Sequence, residues 1–114
     1  LHDDPAFRER WERSALARAV AIRLVGYRIE NGLSQRQLAT KLGMKQPAIA
    51  RLEAGEHNPS MDTLIHLSRT LCIEFLVDIS PAKQQQSWVT KAAESAENAQ
   101  TIVDGDHRVL VAAR

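Results

Sequence analysis

Cysteine, aromatic side chains and long apolar runs are all scarce in this sequence, and each shortage excludes something. The 114 residues hold one cysteine, two tryptophans, two phenylalanines and one tyrosine. A lone Cys72 cannot close an internal disulfide and suits a reducing compartment. It stands in an apolar run, which predicts a buried structural thiol rather than a nucleophile. With so few aromatics, the core falls to leucine, isoleucine, valine and alanine. No apolar run approaches the ~20 residues that cross a bilayer, so no membrane partner and a cytoplasmic location are expected. His2, His57, His66 and His107 are scattered and the one cysteine adds no zinc spacing, so neither metal nor cofactor is expected. No Ser/His/Asp set, phosphate loop or pair of acids stands in a catalytic context, and no enzyme is expected. The stretch after Pro81 is too short for a catalytic domain of its own. Leu1 stands where an initiator methionine would be, so residues are expected to precede it. No secretory pattern is visible.

The length supports one compact domain with a small appendage. Net charge is close to zero, but its distribution is uneven. From Arg8 to Arg51 ten basic residues accompany three acidic ones, a surplus of +7; from Leu52 onward five basic and nine acidic residues give −4. A basic half and an acidic half suggest a polyanion at one end and another partner at the other.

The stretch from Leu33 to Asn58, LSQRQLATKLGMKQPAIARLEAGEHN, organises the chain. Ser34 is placed to cap a helix by accepting from a first-turn N–H. Leu38 and Leu42 fall on one face of that helix. Gly43 follows at once and suits the left-handed backbone that closes a helix. Pro47 opens a second helix, where its missing N–H has no role. Ile49 and Leu52 point inward, and Gly55 ends the helix. Lys45, Gln46, Ala48, Arg51 and Ala54 remain outside. Two short helices joined in this way form a helix-turn-helix, whose second helix enters the DNA major groove. Gln and Arg read purine edges bidentately, which makes Gln46 and Arg51 the base-reading candidates. Pro47 and the small Ala48 permit close approach to the groove.

Before this stretch, Phe7 and Trp11 share one face of a short amphipathic segment, either packed on the domain or free to dock a partner. Ser14 to Glu30 read as a long helix with Val20, Leu24 and Tyr27 toward the core. Gly26 weakens it slightly and suggests close packing. After the stretch, Ser60 caps a helix from Met61 to Leu71, with Leu64, Leu67, Ser68 and Leu71 as its buried stripe and His66 beside it. The period then changes. Ile73, Phe75, Val77 and Ile79 alternate and read as a strand. Ser80-Pro81 reads as a break and a helix start, and residues 82–97 as a docking helix or linker anchored by Trp88 and Val89. Asp104-Gly105 between β-branched runs signals a hairpin. A small sheet with the earlier strand is expected, since an isolated hairpin is marginal and needs that strand or a second subunit. Phe75, Val77, Ile79, Val109 and Val111 are the candidate dimerisation residues.

The stretch resembles the lambda-repressor-like (XRE) helix-turn-helix family. The matching residues are Leu33-Ser34-Gln35, Leu38-Ala39, Leu42-Gly43, Gln46, Ile49, Leu52-Glu53, Gly55 and Asn58-Pro59. The strand after Cys72, with Asp4-Pro5, Phe7-Arg8, Trp11-Glu12 and Leu16-Ala17-Arg18-Ala19, resembles the HigA-type antitoxin branch. The resemblance implies a mainly α fold: a lambda-repressor-like helix-turn-helix bundle with a small C-terminal β-strand element. Residues 1–72 would form the DNA-binding domain, and residues 73–114 a strand, helix and hairpin serving dimerisation. It implies that Arg28 pairs with Glu53, whose charge is costly to bury alone. It places Ser34, Gln35 and Arg36 at the phosphate backbone, with Gln35 aided by helix N–H groups. Lys45 is a phosphate or base contact, although Ser or Thr is usual there. His57 and Asn58 lie in a loop that follows the phosphates, and an exposed loop without a role is the other reading of His57.

The function so implied is a dimeric repressor on double-stranded palindromic operator DNA, acting as the antitoxin of a toxin–antitoxin pair. Such an antitoxin represses its own operon and neutralises a RelE/HigB-like mRNA-cleaving ribonuclease toxin. The alternative is a stand-alone regulator whose C-terminal element senses a ligand or partner.

Overall fold

The computed structural model describes residues 15–81, 98–104 and 107–113. The readings placed on Phe7, Trp11, Trp88, Val89 and the Asp104-Gly105 turn itself fall wholly or partly outside those residues. Among the described residues there are four helices: α1 (Ala15–Glu30), α2 (Gln35–Leu42), α3 (Gln46–Ala54) and α4 (Met61–Leu71). Three strands follow: β1 (Phe75–Pro81), β2 (Asn98–Asp104) and β3 (His107–Ala113).

Helix α1 works on two faces. Val20 and Leu24 turn into the helical core with Leu38, Leu42, Ile49 and Leu67, and Tyr27 packs at its margin. Burying each of the larger aliphatic side chains contributes about 1.5–3 kcal/mol. On its other face Ala15 and Ala19, with Leu16 beside them, meet Val111 of β3. Alanine presents little bulk, so a sheet can lie close against a helix lined with it. Gly26 does not serve close packing: a Cβ built there meets nothing within 4 Å.

The local signals for α2 and α3 act as read. Gln37 N donates to Ser34 Oγ at 3.1 Å, and Ser34 N donates to Gln37 Oε1 at 2.8 Å. This reciprocal box satisfies two helix-end donors that otherwise lack partners. Gly43 closes α2 at φ 67°, and Met44 N donates back to Ala39 O at 2.9 Å. Gly55 closes α3 at φ 66° and also lies against α1, where a built Cβ would stand 3.2 Å from the Ala21 Cβ. Ser60 caps α4 by accepting from Thr63 N at 3.1 Å.

Cys72 departs from expectation. It is exposed, not buried, and ends α4 in the left-handed region at φ 57°. The neighbours Leu71 and Ile73 take the buried positions. The apolar run misleads because the helix-to-strand turn rotates this one residue outward.

The sheet is antiparallel, in the order β1-β3-β2. Its first strand starts at Phe75, and Ser80 and Pro81 extend it by pairing with Arg108 and His107. They are therefore strand residues and not a break. Proline is tolerated because β1 is an edge strand and Pro81 stands at its end. Ile73 and Ala113 belong to the helical core, and Phe75 packs against it. No gap in packing therefore falls at residue 72. Val111 is completely buried within its own chain, so its side chain is not offered to a partner. Among the described residues no helix is long and apolar enough to cross a membrane.

Candidate nucleic-acid interface

The anchor of the site is an ion pair. Arg28 Nε donates to Glu53 Oε2 at 2.9 Å, and Nη2 donates to Oε1 at 3.0 Å. Arg28 Nη1 also donates to Leu33 O at 3.3 Å. The Arg28 side chain keeps 23% of its surface and Glu53 only 6%, so the carboxylate is the end that most needs a partner. The hydrogen bonds to Glu53, ahead of its Coulomb attraction, hold the guanidinium pKa above its ordinary value against a desolvation penalty. The pair ties α1 to α3.

A chain of hydrogen bonds runs outward from this pair. Gln35 Nε2 donates to Glu53 Oε1 at 3.2 Å, and Gln46 Nε2 donates to Gln35 Oε1 at 2.9 Å. The polarity is forced. A carboxylate only accepts, so Gln35 must turn its NH2 group toward Glu53. Its carbonyl then faces Gln46, which must donate. Gln46 is exposed at the start of α3, and its donation to Gln35 uses one of its two N–H groups. Sequence reading placed Gln35 and Gln46 at the interface separately. Their contact depends on how α2 and α3 cross, which spacing does not give.

The other candidates spread around this point. Arg36, Lys45, Pro47, Arg51 and His57 are exposed and Ala48 is half-buried. Lys45 precedes α3, and its side chain, a donor only, makes no cap there. Ser34 is engaged in its capping box. Ala48, Arg51, His57 and Asn58 line a hollow of about 400 Å³ with Met44 and Thr63. Asn58 has a structural duty as well: its Oδ1 accepts from Ala17 N at 3.0 Å. That N–H lies in the first turn of α1, where no carbonyl of the same helix reaches it. His66, beside the buried stripe of α4, is exposed, and its Nε2 lies 2.6 Å from Leu42 O at the end of α2. Lys41 turns back over the Tyr27 ring at 5.4 Å.

Two short helices crossing at a glycine turn, with a polar second helix held from beneath, define a helix-turn-helix domain. Residues 26–75 match the Helix-turn-helix family. An uncharacterized HTH-type transcriptional regulator of Haemophilus influenzae is 44% identical over 59 residues, covering 52% of this chain and 60% of its own length. The chain therefore spans less than two thirds of that relative. The antitoxin HigA1 of Mycobacterium tuberculosis, in two strains, is 25% identical over 112 residues, covering 95% of this chain and 75% of its own length. No solved structure matches.

Proposed function

We propose that the chain is a dimeric, sequence-specific DNA-binding repressor that also serves as the antitoxin of a toxin–antitoxin pair. The observation that carries the DNA-reading part is the line Arg28–Glu53–Gln35–Gln46. It fixes the outer amide of Gln46 with its oxygen and one N–H directed away from the protein, the pattern that pairs with adenine N6 and N7. Arg51, further along α3, supplies the donor fork suited to guanine. Gln35, Arg36 and Lys45 supply phosphate contacts that set the register, with His57 and Asn58 at the far rim. One such helix reads few base pairs, so a two-fold dimer on a palindromic operator follows as the working form.

The antitoxin part is supported by the likeness to HigA1, which extends along nearly all of this chain. By that likeness the partner is a ribonuclease toxin of the RelE/HigB type, and the operon repressed is the chain's own. The relative described only as a transcriptional regulator supports the alternative of a stand-alone regulator. Copurification from the native operon separates them: the antitoxin reading requires a small basic ribonuclease in the complex, and its absence leaves the stand-alone regulator. The DNA reading is tested with Arg51→Ala. We expect a loss of about 1–3 kcal/mol in operator affinity together with relaxed base preference. An equal loss on operator and random DNA would remove Arg51 from base reading.

A further inference from the structure

Toward its C-terminal end, helix α1 carries apolar residues that the core does not take in. Ile22 is 44% exposed and Ile29 67%, and Val25 is half-buried. The spacing i, i+3, i+7 puts all three on one face. Gly26 borders them, and a Cβ built there meets nothing within 4 Å, so another helix has room to approach. Arg23 and Glu30 share the opposite flank of Gly26, the first half-buried and the second exposed.

We propose that this face receives the same face of a second copy, with the two α1 helices antiparallel about a two-fold axis at Gly26. This rests on the dimeric reading above and supplies a contact and a register for it. Ile22 and Arg23 stand four and three residues before Gly26, and Ile29 and Glu30 three and four after it. An antiparallel two-fold therefore sets each Ile22 beside the other copy's Ile29, and each Arg23 beside the other copy's Glu30. Apolar meets apolar and charge meets opposite charge, each twice over. A parallel two-fold would set arginine against arginine and glutamate against glutamate, and like charges so placed repel. The two isoleucines expose on the order of 200 Å² per copy, about a quarter of the ~800 Å² each partner gives a standard interface. The contact is therefore weak, and association is read at micromolar concentration and above.

The test is sedimentation of the full chain from micromolar to submillimolar concentration. Ile29→Gln should raise the dimer dissociation constant at least tenfold and leave the melting temperature unchanged. Arg23→Glu sets acid against acid between the copies, and Glu30→Arg sets base against base. Each of these variants alone should associate at least fivefold more weakly than the unaltered chain. An equimolar mixture of the two should recover, because a mixed pair has opposite charges at both contacts. A mixture no stronger than its components overturns the antiparallel pairing. A dimer indifferent to all three substitutions overturns the face and spares the dimer, whose interface then lies elsewhere. A lower melting temperature for Ile29→Gln at unchanged association overturns the contact and assigns the face to this chain's own residues. A chain that stays monomeric at submillimolar concentration overturns the contact and the dimer together.

Discussion

At the residue scale, the decisive side chain is the one with the least freedom. Gln46 could present either end of its amide, and the acceptor-only carboxylate of Glu53 settles which, two hydrogen bonds away. Gln35 is therefore a positioning residue. Replacing Gln35 with alanine leaves the Arg28–Glu53 pair intact and unties Gln46. Operator affinity should fall by about 0.5–1.5 kcal/mol, the net worth of a hydrogen bond. The lost preference should map to the same base pair as with Gln46→Ala. In a double-mutant cycle by fluorescence anisotropy, the two losses should be strongly non-additive. Simple additivity would mean that Gln35 acts through its phosphate contact alone and does not position Gln46.

At the element scale, two glycines with opposite roles make a paired test. Gly55 ends α3 at φ 66° and sits against Ala21 of α1. Gly55→Ala should destabilise the fold by about 1–3 kcal/mol, from left-handed strain and crowding together. Gly26 lies within α1 with open space around it, so Gly26→Ala should stabilise by about 0.5–1 kcal/mol. Urea denaturation reads both, and equal signs would refute the argument. The helices were legible in the sequence because their stop and start signals are local: Ser34, Gly43, Gly55 and Ser60 each act within a turn. Cys72, Ser80 and Pro81 were misread because nothing local marks where α4 hands over to the sheet. The Gln35–Gln46 contact and the Asn58 bond to Ala17 were illegible for the same reason, since they follow from helix crossing. The Arg28–Glu53 pair was legible through resemblance, helped by the cost of leaving Glu53 unpaired.

At the scale of the whole molecule, the sheet is not an appendage. β3 is its central strand, and Val111 and Ala113 complete the packing around α1. Removing residues 98–114 should therefore lower the melting temperature by well over 10 °C in calorimetry, in addition to any effect on association. A truncated chain that melts as the full one does would show the sheet to be dispensable.

The alanine face of α1 has one more consequence, for the order in which the protein is made. Its covering strand leaves the ribosome long after the helix itself does. Helices α1 to α4 can pack on one another once α4 has emerged, because Val20, Leu24, Leu38, Leu42, Ile49 and Leu67 all lie within them. Ala15 and Ala19 must wait for Val111. A ribosome that stalls or loses its message before β3 is made thus releases a chain with packed helices and an open flank, a ready substrate for proteases.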